Sequence, residues 1–149
     1  MARPRSRRPS THVVDFSDAN RVPVPTLPVV WNHARYTITP LGHVYRDDGR
    51  LLPPTPNLRV NFNGNSVRRS LPLLVFRAFG HPELLARHDG GDLAKHDPWV
   101  EPFGELDPLT RRRRCTIRDV WLVPHAELIL YGRYGRPPRT RLSILDLAP

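Results

Sequence analysis

Cysteine is nearly absent: Cys115 is the only one in 149 residues. That excludes an internal disulfide and fits a reducing compartment. Lysine is equally scarce, with Lys95 alone. Aromatic residues make up 8% and hydrophobic residues 39%, enough for one modest core and not for two. No stretch approaches the roughly 18 apolar residues of a membrane span, and the first residues contain no hydrophobic signal core. A soluble cytoplasmic protein with no membrane partner is expected. Long helices are excluded by 18 prolines and 9 glycines, which cut the chain into short elements.

Basic charge is abundant. Lys and Arg number 23 against 14 Asp and Glu, a formal net charge of +9 with a sequence pI near 11.1. Such an excess points to a polyanionic partner. The planar guanidinium fork fits phosphate and the guanine edge, which favours nucleic acid over a membrane surface. Coding bias in a GC-rich genome accounts for arginine in place of lysine, but not for the net charge.

The opening "MARPRSRRPS" has nothing apolar to bury, so residues 1–25 read as a flexible basic arm. Its Arg3, Arg5, Arg7 and Arg8, interleaved with Pro4 and Ser6, are available for phosphates. The domain proper is expected over 26–132. In it, "VPVPTLPVVW" is extended, Tyr36 and Ile38 alternate with Thr37 and Thr39, and Gly42 permits a tight turn before Val44 and Tyr45. Leu58, Val60 and Phe62 alternate with Arg59 and Asn61 before Asn63-Gly64, which predicts a β-hairpin carrying Arg68 and Arg69 on its return.

Ser70 is placed to cap a helix over "LPLLVFRAFG", with Pro72 in its first turn and Gly80 in a left-handed C-terminal position. Residues 93–114 have no steady period, hold acids and then Arg111, Arg112, Arg113 and Arg114, and read as an inserted loop. That arginine run either tracks phosphates or pairs with the insert's own acids. A strand near Ile117–Val123 and a helix from about Pro124 follow. Residues 133–149 read as a solvated basic tail with Arg133, Arg136 and Arg139, although "LSILDL" offers a docking segment for a host or virion protein. The three tryptophans are read as core or rim packing.

In order, "YTITPLGHVYR", "GRLLPP", "NLRVNFNGNSVRRSLPLLVFRAFGHPELLARHDGGD" and "CTIRDVWLVP" resemble the HNH endonucleases of bacteriophages, together with the small nuclease-associated module that often precedes their catalytic motif. The resemblance spans residues 31 to 125. It implies a small α+β single domain of short hairpins and two or three short helices around a ββα-metal core, in a phage-infected or prophage-carrying bacterial cell. The implied activity is Mg²⁺- or Mn²⁺-dependent nicking or cleavage of DNA.

His88 falls on the family's general base, which would take a proton from water while a divalent ion stabilises the charge developing on phosphate. Its competing reading is an ordinary surface histidine. Asp119 stands at the closing asparagine of the motif, where a carboxylate is an acceptable hard-metal ligand, and Asp92 serves at most as an auxiliary ligand. Asp89 is read as turn chemistry beside Gly90 and Gly91. Arg87 joins the phosphate-binding set.

Departures fall on the same motif. Cys115 replaces the asparagine expected to orient the catalytic histidine, and Leu73 or a neighbour replaces a histidine or tyrosine that the family places just before the "LV" of the helix. The insert separates His88 from Asp119. A second class of function therefore stands beside hydrolysis: an HNH-derived module without catalysis that binds DNA or a protein. His81, His88, His96 and His125 have intervals that fit no standard zinc site.

Overall fold

The computed structural model describes residues 27–31, 34–46, 48–62 and 67–146. The basic arm and the Asn63-Gly64 turn lie outside the described residues. Among the described residues the fold is a small α+β arrangement of three short sheets and three helices.

Strands β1 (Leu27–Trp31), β2 (Ala34–Ile38), β3 (Val44–Arg46) and β4 (Leu51–Leu52) form an antiparallel meander in chain order. Tyr36, Ile38 and Val44 are buried on it, as their alternation requires. At Gly42 φ is +81°, and an added Cβ would lie 2.3 Å from the Cys115 carbonyl oxygen. Both conditions demand glycine, and the close approach lets the Ile117 N–H donate to the Pro40 carbonyl at 2.9 Å.

The hairpin of β5 (Arg59–Phe62) and β6 (Val67–Ser70) pairs Phe62 with Val67 and Arg59 with Ser70. Val60 and Phe62 are buried while Arg59 is exposed. The Phe62 ring meets Tyr36 edge to face at 4.6 Å, joining the first two sheets. Helix α1 (Leu71–Phe79) follows at once. The Ser70 side chain accepts from the Leu73 N–H, and Leu71, Pro72, Leu74, Val75, Phe76 and Phe79 are buried. Gly80 is extended rather than left-handed, at φ −64° and ψ 153°. What requires glycine there is space: an added Cβ would lie 2.6 Å from the Phe76 side chain.

Helix α2 (Pro82–Gly90) starts at His81, whose Nδ1 accepts from the Glu83 N–H, and it buries Leu84. The third sheet is ordered β7 (His96–Trp99), β8 (Trp121–Pro124), β9 (Leu142–Ser143), all antiparallel. Helix α3 (His125–Tyr134) begins where β8 ends and closes at Gly135, left-handed at φ +69°.

Two boundaries expected from sequence change. Residues 93–114 are not wholly a loop, because His96–Trp99 pairs with Trp121–Pro124. Aperiodic sequence conceals this strand, since Pro98 and three half-buried polar or aromatic neighbours give no alternation. Nor is 133–149 a solvated tail. β9 pairs with β8, Ile144 is fully buried, and Leu142 and Leu145 pack on the core. The stretch "LSILD" thus docks on its own chain, leaving 147–149 outside the described residues. No helix among the described residues is long and apolar enough to cross a membrane.

Candidate functional site

His88 sits in the last turn of α2. Its ring stands edge to face against Phe76 of α1 at 5.2 Å, and its Nε2 lies 2.9 Å from the His96 carbonyl oxygen. A carbonyl only accepts, so Nε2 carries the proton and Nδ1 is the basic nitrogen. The helix that positions His88 forms because Pro82 suits a first turn, Glu83 meets its positive end, and Leu84 anchors it in the core. His88 is therefore a half-buried, oriented histidine.

Beside it, β7 brings His96. Burial lowers the readiness of this ring to protonate and outweighs the opposing attraction of Asp92 and Asp97. His96 Nδ1 is shielded from solvent and has no hydrogen-bond partner. Across the sheet, the His125 N–H donates to the Lys95 carbonyl at 2.9 Å, and His125 Nδ1 lies 2.7 Å from Asp97 Oδ2. Asp97 can hold that imidazole with Nδ1 protonated and Nε2 free to accept a proton. Asp92, Lys95, His96, His125 and Ile129 line one open cavity of about 490 Å³ between the end of α2 and the start of α3.

The two carboxylates assigned to metal are differently occupied. Asp92 receives Arg87 Nε at 2.8 Å and Arg87 Nη2 at 2.5 Å. That bidentate bond, aided by Coulombic attraction, holds its carboxyl below the usual range against opposing desolvation. Asp119 Oδ2 accepts from the Thr116 N–H at 2.9 Å, from Thr116 Oγ1 at 2.8 Å and from Arg114 Nε at 3.2 Å. Its Oδ1 accepts from Arg114 Nη2 at 3.3 Å. Asp119 closes the turn into β8 and anchors an arginine. Asp89 pairs with Arg77 of α1 instead of closing its own turn.

No hydrogen bond or ion pair among the described residues joins His88 to Asp119. Among those residues, too, no group of three or more His, Cys, Asp and Glu side chains is placed to hold a metal ion. The donor set of Asp92 and Asp119 does not fit Mg²⁺ or Mn²⁺ as it stands, because arginine already occupies both carboxylates and a cation would have to displace it. Cys115 is buried and its thiol is pushed far up, chiefly by burial, so it is neither nucleophile nor ligand.

Of the arginines assigned to DNA, Arg87 and Arg114 are engaged in ion pairs, and Arg68 donates to Asn61. Arg111, Arg133 and Arg136 are exposed and form no ion pair with a carboxylate among the described residues, whereas exposed Arg139 lies beside Glu127, which accepts from its backbone N–H and feels its charge. Arg136 lies over the Tyr134 ring at 5.4 Å. Sequence reading set aside His96 and His125 because their spacing matched no ligand pattern; only the β7–β8 pairing places them on one seam. No protein family, curated protein or solved structure matches the chain.

Proposed function

We propose that the chain is a DNA-binding protein related to the HNH endonucleases, holding duplex DNA through arginine. One charge accounting carries this reading. Asp48, Asp89, Asp92, Asp97, Glu101, Glu105, Asp107 and Asp119 all face a basic side chain. Glu127 is taken by the backbone N–H groups of Arg139 and Thr140. Of the other described acids only Glu83 and Asp146 stand outside these contacts, while exposed guanidinium is presented by Arg111 and by Arg133 and Arg136 at and beyond the end of α3, on a chain of net +9. Phosphate is the ligand that such forks suit.

Fluorescence anisotropy of a labelled duplex across a salt series tests it. Affinity is expected to fall by about 10²-fold between about 50 and about 200 mM salt for about three or four phosphate contacts. Weak binding that ignores salt would refute it.

A hydrolytic reading has its own support in the Asp97–His125 pair at the rim of the cavity and in the oriented His88. In that reading a histidine takes the proton of the attacking water, and Lys95, which lines the cavity, meets the phosphate. Supercoiled plasmid, incubated with Mg²⁺ or Mn²⁺ and with EDTA, separates the two. Metal-dependent nicking by the wild type that vanishes in His88→Ala or His125→Ala makes the protein a nuclease. Binding without nicking leaves the module reading.

A further inference from the structure

The segment between β7 and β8 contains a small hairpin, and on or just ahead of it stand three of the most exposed large apolar side chains of the described residues. Phe103 is 91% exposed, Leu106 62% and Leu109 53%. A loop without such bonds would bring these side chains to a partner only at a large ordering cost, but this hairpin is closed by its own hydrogen bonds. Its base is closed by the Arg114 N–H on the Glu105 carbonyl and by the bridge between Leu106 and Arg113. At its neck the Asp107 N–H donates to the Arg112 carbonyl and the Arg111 N–H to the Asp107 carbonyl. Buried Asp107 then ties the hairpin to the β2–β3 turn, its Oδ2 lying 2.5 Å from His43 Nε2 while its Oδ1 accepts from the Leu109 N–H at 2.8 Å. Leu106 and Leu109 thus stand on a hydrogen-bonded mount, with Phe103 two residues ahead of its base.

Charge identifies what they meet. Each acid on the segment is engaged: Glu101 by Arg141, Glu105 by Arg114 and Asp107 by His43. Arg111 remains at the tip, exposed and held at φ +64°, a conformation that benefits no arginine by itself. Arg113 stands across from Leu106.

We propose that the hairpin Glu105–Arg114, with Phe103 just ahead of its base, is a wedge for duplex DNA: Phe103 and Leu109 enter an opened base step while Arg111 and Arg113 hold the flanking phosphates. A base step admits one or two side chains, which matches apolar groups separated along the segment by Glu105 and Asp107. A lipid interface would need one continuous apolar face. The inference rests on the DNA-binding reading above.

The full chain is tested on two duplexes, one end-labelled for energy transfer and one carrying 2-aminopurine at successive steps. The wild type is expected to shorten the end-to-end distance and to raise 2-aminopurine fluorescence. Phe103→Ser/Leu109→Ser removes only exposed groups; it is expected to bind about tenfold more weakly, with an unchanged salt slope and a straight duplex. Arg111→Ala keeps the bend and lowers the salt slope by about one.

A bend that survives in Phe103→Ser/Leu109→Ser overturns the wedge, as does salt-dependent binding by the wild type to a duplex that stays straight and stacked. Loss in that variant of self-association on sedimentation, or of binding to phosphatidylserine vesicles, with DNA bending intact, overturns it in favour of a second copy or a membrane. No duplex binding by the wild type defeats the DNA-binding reading itself.

Discussion

The chain builds the same local succession twice, two antiparallel strands running straight into a helix, and uses it in opposite ways. In β5–β6–α1, Ser70 caps the helix and six of its nine residues are buried. In β7–β8–α3, no side chain caps the helix and none of its residues is buried. Ile129, Leu130 and Tyr134 of α3 face solvent, and Tyr131 meets Trp99 edge to face at 6.1 Å. A ββα succession is therefore no guide to purpose. The first copy is a core and the second carries the seam of His96, Asp97 and His125, because β1, β2 and β7 cover α1 while α3 rests mainly on β8 and on Trp99 of β7.

Breaking the first copy should cost most. Phe76→Ala removes a fully buried ring that also backs His88, and is expected to lower stability by about 3–5 kcal/mol in denaturant titration. Ile144→Ala tests whether the end of the chain belongs to the core: a loss of about 2–5 kcal/mol is expected, whereas a solvated tail would show none.

Asp107→Ala should cost about 1–3 kcal/mol by stranding His43 and the Leu109 amide. Burial alone would raise the Asp107 carboxyl, but His43 and the Leu109 and Thr110 amides outweigh it, and it titrates below its ordinary 3.8. A carboxyl lowered in the folded state stabilises above its unfolded value, and this contribution is lost as pH falls through the lower folded one. The gap between wild type and Asp107→Ala should therefore be full near neutrality and shrink on acidification through that window.

Ser70→Ala should cost about 1 kcal/mol through loss of the α1 cap. The smallest effect belongs to the second copy, where Ile129→Gln on exposed α3 should stay within about 0.5 kcal/mol of wild type. A larger loss would mean that α3 is covered in solution and would dissolve the contrast between the two copies.

Local chemistry was legible along the chain. Leu58, Val60 and Phe62 alternate and are buried, and Ser70 caps the helix that follows. The small α+β class was implied by the resemblance, and the three short sheets and three helices among the described residues agree with it. Gly80 shows where they mislead: glycine after a helix suggested left-handed backbone, yet the packed Phe76 ring is what excludes a side chain. His88 was legible as a candidate from its motif, but its tether to the His96 carbonyl was not, and neither was the capture of Asp92 and Asp119 by arginine.

By itself the sequence determined the basic charge, the single modest core, the short elements and their caps, because these depend on composition and on neighbours a few residues apart. Tertiary structure alone decided that His96 and His125 share a seam, that Ile144 closes the core, and that Asp107 reaches His43 across 64 positions. Such contacts join side chains through folded space, and their partners leave no period or spacing in the chain for a reader to find.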